Sequence, residues 1–311
     1  MPCYKPMTAW YSKDINPSGK RSLVFTPDKA LQRDAEIEIP CGQCIGCRLE
    51  RSRQWAIRCV HEASLYEDNC FITLTFSPEY LQKRENPWSL DKKDFQKFMK
   101  RLRKEYGSGI RYFHCGEYGD TYLRPHYHAC LFNFDFHDKQ LWKISNDCRL
   151  YISDSLARLW PYGFSTIGDV TFDSAAYVAR YIMKKITGDE AEEHYTRMDG
   201  DTGEFIEVLP EYTTMSLKPG IGTGWFEKYR TDVYPDDFVV INGKKMQPPK
   251  YYDRLLEKQL PYEHDYIKDQ RKIRALNNSD ENTRDRLDVK EKVKRRQIEN
   301  GRLPRNLDKE N

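Results

Sequence analysis

No stretch of this 311-residue chain approaches the roughly 18 consecutive apolar residues that a membrane-spanning helix needs, so the sequence predicts a protein without a membrane partner. The opening MPCYKPMTAW lacks the basic, apolar and small-residue succession of a secretory signal, which points to the cytoplasm. An even set of cysteines is missing too. There are nine, and without an export signal they read as reduced thiols or metal ligands rather than a disulfide framework. Charge of one sign is also absent: 51 Lys and Arg against 48 Asp and Glu leave a net +3, too little to announce a nucleic-acid partner by itself. Repeats and low-complexity tracts are absent. The glycines at 220, 222 and 224 follow no clear strand and fit neither Walker nor dinucleotide-binding spacing, so LKPGIGTGWFEKY reads as a loop.

Present instead are local concentrations. Four arginines against one glutamate lie between Arg48 and Arg58, and seven Lys/Arg against two Asp between Asp91 and Lys104. Arg48, Arg51 and Arg53, with Lys97, Lys100, Arg101 and Lys104, are therefore candidate contacts to a DNA backbone, solvated helix faces being the plain alternative. The first forty residues, rich in Pro, Lys and Ser, read as mostly irregular and end in a Cys-x-x-Cys-x-x-Cys run, Cys41, Cys44 and Cys47. Three thiols around one point suit a structural zinc, which takes four ligands. Cys3 is the best fourth by chemistry, with Cys59 and His61 as rivals; reduced structural cysteines and an iron-sulfur cluster are the other readings. The run leads into an amphipathic helix carrying Ala56, Cys59, Val60, Ala63 and Tyr66 on one face.

A regular alternation follows. Strands are expected at 70–76, 110–119, 124–132 and 163–172, and helices at 90–106 and 153–160. The order strand, helix, strand, strand, helix, strand predicts an α+β fold: a ferredoxin-like (split βαβ) antiparallel sheet with the 124–132 strand central and the helices on one side. That strand, RPHYHACLF, points His126 and His128 to one face and Tyr127, Ala129 and Leu131 to the other. A His-x-His pair is half a metal site, though such pairs are also common without one. Glu117, at the end of the preceding strand, can supply a carboxylate to complete a Mg²⁺ or Mn²⁺ site that stays open to a phosphate oxygen; His114 is the rival.

The helix of DSAAYVARYIMKKITG puts Tyr177 and Tyr181 one turn apart, with Lys184 and Lys185 a turn further. On an isolated helix such tyrosines are usually amphipathic core residues. Packed across the sheet they would bring two phenols and an amine to the histidines. The chemistry that uses all of these is attack of a tyrosine on a DNA phosphodiester. Residues 195–209 read as a hairpin, PPKYYDRLLEKQL as a further helix, and the chain beyond 260 as a charged tail.

RPHYHACLF, the upstream FITLTF and the later YVARY together resemble the HUH endonuclease superfamily. CGQCIGCR, GEYG, PGIGTGWFEKY and PPKYYD are similar, more narrowly, to replication initiator proteins of the gokushovirus branch of the microviruses, over roughly residues 1–260. The resemblance implies a phage rolling-circle initiator in the host cytoplasm. Such a protein nicks the origin on single-stranded or supercoiled phage DNA, holds a 5′-phosphotyrosine, rejoins the circle and works with host helicase and polymerase. It further implies His126, His128 and Glu117 as metal ligands, Tyr177 and Tyr181 as nucleophiles, and Lys184 or Lys185 as the associated lysine. Arg180 stands where related motifs often carry that lysine. The implied division is a Cys-rich segment with a basic helix (1–67), a nickase domain (68–190), an accessory region (191–260) and a charged helical or disordered tail (261–311). A non-catalytic single-strand-binding module and a plasmid mobilisation relaxase are the alternatives.

Overall fold

A computed structural model describes residues 3–119, 122–145, 148–181, 190–198 and 203–300, the side chains of Tyr181 and Glu190 excepted. The chain opens with β1 (Met7–Ile15), β2 (Arg21–Val24) and β3 (Ile37–Ile39), paired antiparallel in the order β2-β1-β3. This corrects the expectation of an irregular start. Asn16 takes the backbone N–H groups of Ser18 and Lys20 at 3.1 Å each, and Gly19 adopts φ +77°, closing the β1–β2 turn. The Trp10 indole fastens β1 to the Arg33 carbonyl at 2.9 Å.

There follow α1 (Ile45–Ala63), β4 (Asn69–Thr75), α2 (Pro78–Gln82) and α3 (Lys92–Tyr106). Next come β5 (Arg111–Tyr118), β6 (Pro125–Phe132), β7 (Gln140–Ser145), β8 (Cys148–Ile152), α4 (Asp154–Leu159), β9 (Ser165–Gly168) and α5 (Phe172–Tyr181). The later part holds α6 (Glu190–Tyr195), the antiparallel pair β10 (Thr196–Met198) and β11 (Phe205–Glu207), β12 (Tyr212–Met215) and α7 (Thr223–Val233). The hairpin β13 (Val239–Ile241) and β14 (Lys244–Met246) and the helices α8 (Lys250–Gln259), α9 (Pro261–Asn277) and α10 (Arg284–Glu299) complete it. Among the described residues no helix is long and apolar enough to cross a membrane.

The main sheet has seven strands in the order β12-β5-β6-β4-β9-β8-β7, every neighbouring pair antiparallel. The four strands expected from the sequence stand together as β5-β6-β4-β9, so β6 lies between β4 and β5. On one face Ile72, Leu74, Tyr127, Ala129 and Leu131 pack against Phe95, Phe98 and Leu102 of α3 and Leu156 and Leu159 of α4. Asp91 caps α3 through the Lys93 N–H at 2.8 Å, and Ser153 caps α4 through that of Leu156 at 3.0 Å.

Helices cover the other face as well, which corrects the expectation that they lie on one side. Phe71, Phe113, Cys115, Cys130 and Phe132 are buried there beneath Ala56 and Cys59 of α1 and Ala175 to Ala179 of α5. The cause is compositional: β5 and β6 carry apolar residues at both parities near this end, which only a sheet buried on both sides can satisfy.

Among the described residues the chain forms two units, one of residues 3–51 with 268–300 and the other of Ser52–Ile267. β12 adds to the sheet edge beside β5, so residues beyond 190 complete the same unit. In the first unit α10 packs on the cysteine segment, with Leu287 buried beside Tyr4 and Cys44.

Candidate active site and metal centres

β6 alternates as its sequence requires. Tyr127 points into the α3 side, where its hydroxyl donates to the Asp91 carbonyl and Asp94 carboxylate, each at 2.9 Å, and accepts the Asp91 N–H. That anchor fixes the strand, and the opposite parity carries His126 and His128. Across the ladder His126 stands opposite Glu117 of β5 and Thr75 of β4, and His128 opposite Thr73.

His128 and Glu117 are each 2% exposed. Nε2 of His128 lies 3.0 Å from Glu117 Oε1, and Nδ1 lies 3.0 Å from the Thr73 hydroxyl. Two ligand atoms at adjacent corners of an octahedral ion with bonds near 2.1 Å would stand about 3.0 Å apart. The His128–Glu117 pair therefore fits one edge of a Mg²⁺ or Mn²⁺ shell, with Thr73 orienting the ring from behind. The His126 ring centroid is 6.5 Å from that of His128, so the three side chains are less tightly drawn together than the cysteines described below.

The two glycines of GEYG divide the work. A Cβ on Gly119 would come within 2.8 Å of the His126 ring, whereas one on Gly116 would strike Tyr212 at 2.8 Å on the core side. Glycine at 119 thus leaves room for the His126 ring, and at 116 for the core. Arg124, two residues before His126, shares its parity and stacks its guanidinium over Tyr122 at 5.0 Å.

Tyr177 of α5 meets the His128 ring edge-on, centroids 5.1 Å apart, and Phe71 at 6.4 Å. It is 3% exposed and belongs to the core beneath α5. α5 is held there by Ser52 of α1, whose hydroxyl donates to the Ala176 carbonyl at 2.8 Å. The backbone of Tyr181 ends α5, while its side chain, Lys184 and Lys185 lie outside the described residues. The rival His114 points the other way. It is fully buried, stacks on Phe95 at 3.5 Å and bonds the Thr214 hydroxyl at 2.9 Å. Burial holds its pKa well below the ordinary histidine range.

The four thiols of Cys3, Cys41, Cys44 and Cys47 all lie within 4.8 Å of one another, the one such group among the described residues. Backbone N–H groups point at the sulfurs: Tyr4 to Cys44 at 3.4 Å, Cys41 to Cys3 and Cys44 to Cys41 at 3.3 Å. Burial raises the Cys44 thiol, but the N–H groups of Cys47 and Tyr4 outweigh it and bring it down to about 6. Burial pushes Cys3 and Cys47 up. Four sulfurs with a thiolate already favoured fit a tetrahedral soft-metal site such as zinc. Cys3 is the fourth member. Cys59 is buried beneath α5, and His61 stacks on Trp225 at 3.5 Å and bonds the Tyr252 hydroxyl at 2.9 Å.

LKPGIGTGWFEKY is not wholly a loop. Its second half is α7, and Gly222 at φ +82° begins the helix while its N–H donates to the buried Glu62 carboxylate at 2.6 Å. Arg58 lies 3.9 Å from the rings of both Trp55 and Tyr251 and donates to the Ile221 carbonyl, so the late glycine and PPKYYD segments lock onto α1. These motifs build structure, which their spacing alone did not reveal.

The basic candidates divide. Lys97, Lys100 and Lys104 are exposed on α3, across the sheet from the histidines. Arg101 donates to the Leu159 carbonyl at 2.8 and 3.0 Å and to Tyr162, tying α3 to α4. Arg53 donates to the Gln247 carbonyl at 2.7 Å and exposed Arg51 to Gly42 at 3.4 Å; Arg48 is half-buried.

Residues 69–186 match the family model described as replication-associated protein ORF2/G2P. The chain is 34% identical over 271 residues to replication-associated protein VP4 of Bdellovibrio phage phiMH2K, covering 84% of this chain and 79% of that protein. It is 34% identical over 247 residues to replication-associated protein ORF2 of Spiroplasma virus 4, covering 75% and 72%. It is 29% identical over 230 residues to replication-associated protein ORF4 of Chlamydia phage 1, covering 71% and 54%. No solved structure matches. The matched span begins at β4 and runs through the histidine strand and α5, and the match to two relatives reaches beyond it over most of their length: the chain belongs to the family of phage replication-associated proteins.

Proposed function

We propose that this protein starts rolling-circle replication of a single-stranded DNA phage by nicking the origin, and that residues 68–190, built on a ferredoxin-like centre of the sheet, carry the reaction. The observation that supports this best is the 3.0 Å His128–Glu117 pair lying directly beneath Tyr177 on one sheet face. In the reaction the phenol oxygen of Tyr177 or Tyr181 attacks the scissile phosphorus and its proton passes to solvent. The bond from phosphorus to the 3′ oxygen breaks, that oxygen takes up a proton, and the 5′ phosphate remains on tyrosine. When the origin is regenerated, the second tyrosine cuts it and the freed 3′ hydroxyl attacks the first adduct. One phosphodiester bond is exchanged for another, so joining needs no nucleotide triphosphate.

His126, His128 and Glu117 would hold Mg²⁺ or Mn²⁺, which when bound polarises the phosphate and offsets charge building on it. Thr73 orients the His128 ring, and Lys184 or Lys185 is the candidate to stabilise the phenolate. Exposed Arg51, Lys97, Lys100 and Lys104, with Arg48 and Arg53, are the proposed backbone contacts, and Arg101 serves packing. The four cysteines would hold a structural Zn²⁺. The setting is the cytoplasm of the infected host, with host helicase and polymerase extending the nicked strand.

The test is incubation with single-stranded phage DNA and Mn²⁺, followed by mapping of DNA-linked peptides. An adduct on Tyr177 or Tyr181, absent from the Tyr177→Phe/Tyr181→Phe double variant, is expected. An adduct that survives in the double variant overturns the assignment.

A further inference from the structure

The face that carries the histidines does not end at them. Thr75 lies opposite His126, and one strand further its N–H and hydroxyl both donate to the Phe164 carbonyl, at 2.9 and 2.8 Å. Thr166 of β9 pairs with Thr73, whose hydroxyl touches His128. Phe164, two residues before Thr166, takes the same side by strand alternation, while Ser165 and Ile167 are buried on the other. The turn before Phe164 is set by Gly163, where a Cβ would fall 2.5 Å from the Thr75 carbonyl oxygen. Its position is therefore built in.

Phe164 is 48% exposed. Its ring makes an edge contact with Trp142 of the edge strand β7, centroids 4.9 Å apart, and Trp142 is itself 44% exposed. The Lys143 ammonium stands 4.3 Å from the Trp142 ring. Among the described residues α5 covers β5 and β6 and does not reach this side, where Thr73, Thr75 and Thr166 are half-buried between the aromatics and the histidines. Glu117, His126, Thr75 and Phe164 thus form one row across three strands and the entry to β9, and two open aromatic rings with the Lys143 ammonium beside one of them end it. Strand spacing puts the backbones of His126 and Phe164 about 10 Å apart, within reach of nucleotides flanking a phosphate at the histidines.

We propose that Phe164 and Trp142 form a base-stacking platform for single-stranded DNA, gripping unpaired bases beside the scissile phosphate while Lys143 meets its backbone. The occupant follows from the chemistry. Flat π faces accept any base, the Lys143 cation beside them complements a phosphate, and hydroxyl-bearing threonines continue the path to the proposed metal ligands. A purely protein-binding patch has no need of this continuity. The proposal rests on the nicking reading for its position, yet binding can be measured without chemistry.

The probe is a fluorescein-labelled single-stranded 20-mer of thymidylate, alongside the same backbone with central abasic sites, both in EDTA with the full chain. Phe164→Leu and Trp142→Leu keep apolar bulk at exposed positions but remove the π face. Each is expected to weaken binding of the thymidylate strand by about 5- to 150-fold, and the abasic strand is expected to bind wild type as weakly as the normal strand binds the variants. Equal affinities of variants and wild type would overturn the platform. So would a loss of self-association in the variants with DNA binding intact, which would make the face a contact between copies. If wild type binds with the expected base dependence but forms no tyrosine adduct with Mn²⁺, the nicking reading fails and the platform stands.

Discussion

The two candidate metal centres are built on opposite principles. The cysteine cluster brings four soft ligands together, turns backbone N–H groups onto its sulfurs and is sheltered by Leu287. At the histidines, His128 meets Glu117 across two strands and His126 stands opposite the same glutamate, with threonine hydroxyls and a tyrosine edge around them. A closed shell leaves no position for a substrate, whereas an open one spends coordination sites on exchange. On the function proposed above, the first would hold structure and the second would do chemistry.

The hardest test of that contrast is His128→Ala, expected to lower nicking of phage DNA by on the order of 10²- to 10³-fold while zinc content stays unchanged. Gel assays with metal analysis on the same sample measure both, and a matching loss of zinc would merge the two sites. Next in size is chelation. Brief EDTA treatment should abolish nicking, restorable by Mn²⁺, yet leave one zinc per chain until a mercurial releases it; zinc lost together with activity would contradict a closed site.

Gly119→Ala is expected to cut nicking by about tenfold through the His126 ring, in keeping with the cost of disturbing a ligand's surroundings, and to leave the melting temperature nearly unchanged. Unaltered kinetics would show that His126 can move aside freely. The smallest effect belongs to the packed histidines. Burial holds His61 at about 3, so as pH falls below the ordinary value near 6.5 the unfolded chain gains a proton that the folded chain refuses. This group alone should lower stability by about 1.4 kcal/mol per unit through that window, and His114 acts in the same direction. Urea unfolding at pH 7.5 and 5.5 should show the slope, flattened but not removed in His61→Phe; identical slopes would reject this origin.

What could be read in advance follows from where each signal resides. The parity of Tyr127, Ala129 and Leu131 against His126 and His128 is local, and the strand obeys it. Glu117 is nine residues away across one hairpin, close enough for the register to be anticipated. The second covered face was written in Phe113, Cys115, Cys130 and Phe132, but two short apolar parities in adjacent strands are easily taken for one. β7 escaped notice because Leu141, Trp142 and Ile144 are exposed at an edge and break the usual inside-outside pattern. Arg101 looked like a DNA contact because its partner, the Leu159 carbonyl, is fixed only once α3 and α4 meet. Trp142 and Phe164 meet through tertiary packing alone, so no spacing rule pairs them.

The burial of Leu287 against Tyr4 and Cys44 carries a consequence for synthesis. Translation runs from one end, so the sheet can close as soon as β12 has emerged at Met215. The cysteine segment, made first, must wait for α10. At ordinary elongation rates the 72 residues from Met215 to Leu287 take roughly 4 to 15 s. A chain halted before α10 would therefore lack the helix that buries Leu287 beside Tyr4 and Cys44.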